Sequence, residues 1–151
     1  MLAWLQLLTI VSSVLIVGVY WGPWLALSRS FAALDPGTFL AVVKRMHRNL
    51  ERPMTVLTPL AAVPLSGALV LSLGSPLQFG LTLAGGLLLA GTVVVSVVIE
   101  VPIVKRMSTW SPATLPAGWE QARDRWVAYH PLRVFPGLAA VALLVAAATF
   151  R

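Results

Sequence analysis

Residues 53–99 read PMTVLTPLAAVPLSGALVLSLGSPLQFGLTLAGGLLLAGTVVVSVVI and contain no charged side chain. A helix needs about 20 mostly apolar residues to cross the hydrocarbon core of a bilayer. The stretch is therefore too long for one span and long enough for two. Turn-forming residues, Ser-Leu-Gly-Ser-Pro at 72–76, lie near its middle. We predict one span at about 53–71 and another at about 77–104.

Two further uncharged segments lie on either side of this pair. Residues 1–28 lack the basic start of a signal peptide and exceed the length of its apolar region, so we expect a retained span. The last span is expected at about 131–150, with Pro131 in the first helical turn, where proline is tolerated. The sequence thus predicts an all-α, four-transmembrane-helix bundle, a single integral membrane domain over residues 1–151.

The composition agrees with a lipid environment. Charged residues make up 11% of the chain and hydrophobic residues 58%, whereas about a quarter of a soluble domain is charged. A lipid solvent removes the need for a polar outer surface. The net charge of +6 comes from basic residues beside apolar spans, which is typical of topology signals. The expected partner is the lipid bilayer, and no nucleic-acid partner is expected.

The two polar segments predict amphipathic helices before spans two and four. In the first segment Asp35 is a candidate N-cap, and apolar residues follow it at helical spacing, so the helix is expected to continue into span two. Of the 11 Lys and Arg residues, all but Arg151 lie on these segments: Arg29, Lys44, Arg45, Arg48, Arg52, Lys105, Arg106, Arg123, Arg125 and Arg133. The positive-inside rule predicts an inner (plasma) membrane protein with both loops cytoplasmic and both termini outside.

Small residues four apart, such as Gly18 with Gly22, predict close helix contacts. Such contacts form either inside one bundle or between copies in a homo-oligomer, and the sequence leaves both open.

Cofactor chemistry is bounded by the absence of cysteine, which excludes iron–sulfur clusters and thiolate-bound haem. The two histidines are His47 and His130. On facing helices of a bundle they would suit the two axial positions of a haem, although scattered histidines are commonly surface groups. No other metal site is predicted, because the Glu-x-x-His ligands of di-iron bundles are absent.

Glu100 is the first candidate for chemistry, because it ends the uncharged run and a carboxylate at membrane depth is costly. It is interpreted either as a proton acceptor in a polar pocket or as an interfacial group paired with nearby Lys105 and Arg106. The second candidate is a stripe with helical spacing of 4, 3, 4 and 3 residues. Its members are Trp119, Arg123, Trp126, His130 and Arg133.

This stripe combines rings, cations and a group that titrates near neutral pH. It suits an anionic aromatic ligand, which would stack on Trp and pair with Arg. The alternative is an interfacial helix with Trp at headgroup depth and Arg on lipid phosphate. Pro131 weakens the helical geometry between His130 and Arg133.

Residues 100–133, EVPIVKRMSTWSPATLPAGWEQARDRWVAYHPLR, resemble the anthrone oxygenase-like family of small four-helix membrane proteins. The resemblance extends loosely over the whole chain, but this loop is its most specific part. Two features depart from the family pattern: relatives often have Asn around the positions of Glu100 and Val104, and proline follows His130 here. The matching residues are Val101, Pro102, Ile103, Trp110, Pro116, Trp119, Arg123, Trp126, His130 and Arg133.

The resemblance implies oxidation of an anthrone to an anthraquinone with molecular oxygen, chemistry that can proceed without an obvious cofactor. The substrate carbon acid loses a proton, and its electron-rich anion reduces oxygen. In this interpretation His130 is the base, Arg123 and Arg133 stabilise the anion, and Trp119 and Trp126 form the ring platform.

Three functions therefore remain open at the level of sequence. The first is an oxygenase-like protein acting on an apolar aromatic or quinone-type molecule. The second is a non-catalytic membrane protein that binds lipid or a partner, and the third is a haem-binding redox protein using His47 and His130.

The charge distribution makes a testable prediction about topology. The chain has no cysteine, so each single-cysteine variant carries one thiol. In intact cells, a membrane-impermeant thiol reagent should label Ser75→Cys, because the turn at 72–76 is predicted outside, and spare Ser111→Cys on a basic segment. Labelling of Ser111→Cys alone would reverse the predicted orientation.

Overall fold

The computed structural model describes residues 1–28 and 30–150, in which the regular structure is helical and no strand occurs. Arg29 and Arg151, which entered the charge count, lie outside these ranges. A π-helical segment, Ser96–Glu100, joins two of the helices. In chain order the α-helices are α1 (Leu2–Ala26), α2 (Pro36–Leu71), α3 (Pro76–Val95), α4 (Val101–Ser108), α5 (Trp119–Tyr129) and α6 (Pro131–Thr149).

Four helical stretches are long and apolar enough to cross a membrane, which confirms the predicted all-α class and the four spans. They are Leu2–Ala26, Pro36–Leu71, Pro76–Ser108 and Trp119–Thr149. The two amphipathic segments are continuous with the spans that follow them, so the second and fourth helices extend well beyond their apolar parts. Four apolar helices of this length are compatible with a multi-pass membrane protein.

The N-terminus of α2 is formed as its sequence indicates. The Asp35 side chain accepts a hydrogen bond from the Thr38 amide at 3.0 Å, and Pro36 occupies the first turn, where its missing amide hydrogen costs nothing. Hydrogen bonds from Thr38 also hold the pKa of Asp35 below its usual range. The cap starts a helix that continues for 36 residues.

Three prolines lie inside α2 without ending it. A proline cannot donate to the carbonyl four residues earlier, so Pro64 leaves the Leu60 carbonyl without its usual partner. Ser12 on α1 compensates, because its hydroxyl donates to that carbonyl at 3.4 Å. Neighbouring helices commonly satisfy the freed carbonyls of membrane helices in this way.

Helix packing is close at Gly86, where a Cβ would lie 3.0 Å from Leu65 Cδ2, and also at glycines outside the pairs spaced four apart. A Cβ on Gly85 of α3 would lie 2.9 Å from Leu144 Cγ and 3.0 Å from the Ala140 carbonyl oxygen of α6, whereas nothing lies within 4 Å of a Cβ on Gly18 or Gly22. The prediction of close contacts inside the bundle is therefore wrong for that pair, which faces outward. Its part in a homo-oligomer stays a prediction.

Both basic segments lie at the same end of the bundle. Lys44 Nζ donates to the Trp110 carbonyl at 2.6 Å, which joins the start of α2 to the loop after α4. Beneath this contact a buried aromatic cluster includes Phe31, Phe39 and Trp126. The two loops therefore form one layer, which we call the basic end.

The glycine contacts predict a difference between two conservative substitutions on α3. Gly85→Ala should lower the free energy of unfolding by about 1–3 kcal/mol, because the Ala140 backbone cannot move away freely. Gly80→Ala is the control, since its Cβ would meet nothing within 4 Å. Thermal unfolding in detergent measures both, and equal effects would contradict the close packing of α3 on α6.

Candidate functional site

A cavity of about 320 Å³ lies among the four long helices near the basic end. Its size is typical of pockets for small molecules, which occupy roughly 300–1,000 Å³. Most of its wall is apolar, and a few polar side chains converge on it from every span. They include Tyr20, His47, Ser96, Glu100, His130 and Arg133.

The position of Glu100 follows from a local irregularity in the third long helix. Pro102 has no amide hydrogen, and its ring crowds the turn before it, so an ordinary α-helical turn is unfavourable there. The backbone instead widens, and the Val101 amide donates to the Ser96 carbonyl five residues earlier. Such π-helical turns are frequent at functional sites. Glu100, the last residue of this turn, is 3% exposed.

Glu100 forms a buried ion pair with Arg133 of α6, through Oε2 and Nη2. The guanidinium has two further neighbours. Its Nη1 donates to Ser96 Oγ at 3.4 Å, and its central carbon lies 4.5 Å from the centroid of the Tyr20 ring. The planar group is thus held by a carboxylate, a hydroxyl and a ring, contacts that a lysine could not reproduce together.

His130 is also buried, with 1% exposure, and its ring is fixed by two neighbours. Its Nδ1 lies 3.0 Å from the Trp126 carbonyl oxygen, and the Trp126 ring packs edge-to-face with a centroid distance of 4.6 Å. A carbonyl only accepts hydrogen bonds, so Nδ1 carries the proton of the neutral ring. Nε2 is then the nitrogen with a free lone pair, which is the arrangement of a base.

Glu100 and His130 face each other without a hydrogen bond. Glu100 Oε1 lies 3.7 Å from His130 Nδ1, and within residues 1–28 and 30–150 this oxygen has no hydrogen-bond partner. At this distance the Glu100 carboxylate attracts the His130 imidazole once that ring carries a second proton. The structure therefore brings Glu100 together with His130 and Arg133, although the carboxylate was predicted separately from the stripe that contains the other two.

The predicted stripe of five residues divides into two parts. Trp126, His130 and Arg133 line the cavity. Trp119 packs on Phe39 with a centroid distance of 5.8 Å, and the Arg123 guanidinium lies 5.3 Å from the Trp119 ring.

Trp119 precedes His130 by about 16 Å of helix, and neither Trp119 nor Arg123 is among the residues that line the cavity. One residue, His130, separates α5 from α6, and the Arg133 amide donates to the His130 carbonyl three residues earlier at 3.0 Å. Pro131 therefore disturbs the α-helical hydrogen bonds locally, as its position predicted. A ligand-binding role for Trp119 and Arg123 stays a prediction, and the structure places both outside the cavity wall.

His47 lines the same cavity from α2, on the side of Glu51 and Lys105. Within the described ranges no three His, Asp or Glu side chains gather as a metal site would require. A haem would therefore depend on His47 and His130 alone, and haem binding stays a prediction.

Tyr20 and Ser96 belong to the site and were missed by the sequence analysis. The Ser96 hydroxyl lies 3.3 Å from the Tyr20 hydroxyl and 2.9 Å from the Thr92 carbonyl oxygen. One signal was available, because Thr92, Ser96 and Glu100 are spaced four apart in an otherwise apolar helix. Polar groups inside a span tend to face the bundle interior.

Comparison with known proteins gives one match. The family model described as anthrone oxygenase matches residues 46–145. This range includes His47, Glu100, His130 and Arg133, whereas α1 with Tyr20 precedes it. No curated protein and no solved structure matches the chain.

The buried ion pair predicts strong coupling between two substitutions. Glu100→Gln and Arg133→Gln should each lower the free energy of unfolding by about 3–5 kcal/mol, because each leaves a buried charge unpaired. The double variant should lose much less than the sum. Denaturation in detergent measures this cycle. Arg123→Gln with Asp124→Asn is the control, since Asp124 is largely exposed and such pairs couple by about 1 kcal/mol or less. Additive effects at Glu100 and Arg133 would show that the two groups do not interact.

Proposed function

The chain belongs to the anthrone oxygenase family, and we propose that it oxidises an apolar aromatic or quinone-type molecule with molecular oxygen. The observation that carries this proposal is the placement of His130 in the cavity wall beside the buried Glu100–Arg133 pair. A base, a carboxylate and a cation at one end of an apolar cavity suit the deprotonation of a weakly acidic ring compound.

The overall reaction for an anthrone balances with oxygen as the oxidant. The substrate methylene carbon loses two hydrogens and gains one oxygen atom as a carbonyl, and the second oxygen atom leaves as water. In the first step the carbon loses a proton and becomes an electron-rich anion. That anion transfers electrons to oxygen and forms a carbon–oxygen bond, and the resulting peroxide anion takes the proton back from the base to give a hydroperoxide. Loss of the second hydrogen with cleavage of the O–O bond gives the quinone and water.

His130 takes the first proton on Nε2 in this mechanism. The ring becomes a cation, and Glu100 Oε1 at 3.7 Å from Nδ1 stabilises it. Two opposite unit charges about 4 Å apart attract by roughly 4 kcal/mol at an effective dielectric constant near 20. Trp126 fixes the ring through its carbonyl, so Nε2 keeps one direction. General-base catalysis of this kind contributes about 10²–10⁴ in rate.

Arg133 stabilises the substrate anion from the same end of the cavity. Its guanidinium is already oriented by Glu100, Ser96 and Tyr20, so little reorganisation is needed when negative charge develops. The apolar wall accepts the ring system, and the Trp126 ring supplies an aromatic surface beside His130.

We also propose that the basic end faces the cytoplasm of the inner membrane, with both termini outside. The joining of the two basic segments into one layer by Lys44 and Trp110 supports this orientation, because the positive-inside rule then applies to both at once.

The proposed base is tested by oxygen consumption and quinone formation with anthrone in proteoliposomes. His130→Gln should lower kcat by about 100-fold or more while the thermal unfolding temperature changes little. Arg133→Lys should also lower kcat, although it keeps the charge, because lysine lacks the planar fork. Arg125→Gln is the control, since Arg125 is exposed and lies over Tyr129 on the same helix.

Two results would overturn this proposal. Wild-type protein without turnover of anthrones or hydroquinones would favour the lipid- or partner-binding alternative. A haem absorption spectrum in purified protein, lost in both His47→Ala and His130→Ala, would favour the redox alternative.

A further inference from the structure

The cavity has an exposed side that faces neither α1 nor α6. Among the residues lining it, those that are exposed belong to α2 and to the α3–α4 helix: Glu51, Thr55, Val97 and Lys105. The lining residues of α1, α5 and α6 are buried or half-buried. The cavity therefore opens through a gap between α2 and the α3–α4 helix, which we call the lateral slot.

The packing of the helices explains why a gap forms there. α3 packs mainly against α6, and α2 packs mainly against α1, so the contact between α2 and α3 is slight. The close approach at Gly85 fixes α3 on the α6 side. The prolines inside α2 add a tendency to bend away from a neighbour.

The slot reaches the depth of the lipid acyl chains. The turn at residues 72–75 marks the far end of both helices, and each residue advances about 1.5 Å along a helix. Thr58 and Val93 then lie about 20 Å and 26 Å from that turn, inside a hydrocarbon core of about 30 Å. Lys105 lies about 44 Å away by the same measure, which is headgroup depth. The slot thus extends from the headgroups into the acyl chains.

The chemistry of the slot differs along its length. Its shallow end carries the charged side chain of Lys105, and its deep end is bordered by Val93 and the Thr58 methyl group. Glu51 and Val97 lie between these ends, both about 32 Å from the turn. Val97 is 60% exposed between the two ends, so a molecule that enters from the acyl chains passes this apolar side chain on its way to Glu100 and His130. A charged molecule would have to leave water, which is costly at this depth.

We propose that the substrate reaches the cavity from within the bilayer, through the lateral slot. The slot admits neutral, lipid-dissolved ring compounds whose oxygen-bearing end meets His130, Glu100 and Arg133. This inference rests on the proposed function for the identity of the reaction, but the route itself is open to a separate measurement.

The route is tested by thiol labelling, because the chain has no cysteine of its own. Val101→Cys places a thiol in the cavity wall, on the first residue of α4. N-phenylmaleimide dissolved in the liposome bilayer should label it faster than a sulfonated, water-soluble maleimide. Adding Val97→Trp should slow the bilayer reagent by roughly tenfold, equivalent to about 1.4 kcal/mol in the barrier, whereas Val97→Ala should accelerate it.

Val94→Trp is the matched control for the added ring. Val94 is 57% exposed on the same helix and is outside the cavity lining, so it should leave the labelling rate unchanged. Unchanged labelling in both Val97→Trp and Val97→Ala overturns the lateral route. So does faster labelling by the sulfonated reagent.

The same variants keep the two proposals distinguishable. If wild-type protein fails to oxidise anthrone but the labelling rates respond to Val97 as expected, the catalytic proposal falls and the route stands. If anthrone is oxidised at the same rate in wild type, Val97→Trp and Val94→Trp, and labelling is equally indifferent, the route falls and the catalytic proposal stands.

Discussion

The Glu100–Arg133 ion pair is the constraint on which the site depends. Each charge would be expensive to bury without the other. Their pairing joins the third long helix to the fourth at one fixed height, and it brings Ser96 and Tyr20 into contact with the guanidinium. His130 lies one turn before Arg133 on the same helix, so the register that forms the ion pair also places the imidazole against Glu100.

Pro102 links this electrostatic constraint to the backbone. Without the wide turn at Ser96–Glu100, the carboxylate would project from a different angle, because one inserted residue rotates all that follows by about 100° on a helix. The π-helical turn therefore directs the Glu100 side chain into the bundle. A buried carboxylate at this position requires a cation nearby, and Arg133 supplies it.

Much of the fold was predictable from the distribution of charge. Three predictions from the sequence agree with the structure. The uncharged run from Pro53 to Ile99 predicted two spans, Ser75–Pro76 predicted the turn between them, and Asp35 predicted the start of α2. The rotation of each helix about its axis was not predictable, because a helix that is apolar on all sides gives no preferred face. For this reason the four-residue spacing of Gly18 and Gly22 did not decide which way they face, and it is Gly85 that makes the contact with α6.

The site shows the same limit. Glu100 was found as a candidate because a charged group is rare in a span, whereas His130 and Arg133 were found through the helical spacing of the stripe. Their meeting depends on contacts between distant helices, which spacing along the chain does not encode. Trp119 and Arg123 continue the helical spacing of Trp126, His130 and Arg133, but they are not among the residues that line the cavity.

The central claim is that this site removes a proton from a ring compound before oxygen takes part. Its most direct test is anaerobic exchange of the anthrone methylene hydrogens with deuterated water, followed by NMR in proteoliposomes. The account predicts that wild-type protein accelerates the exchange well above the protein-free rate and that His130→Gln returns it to that rate. Exchange at the protein-free rate in wild type, or equal acceleration by His130→Gln, would contradict the account.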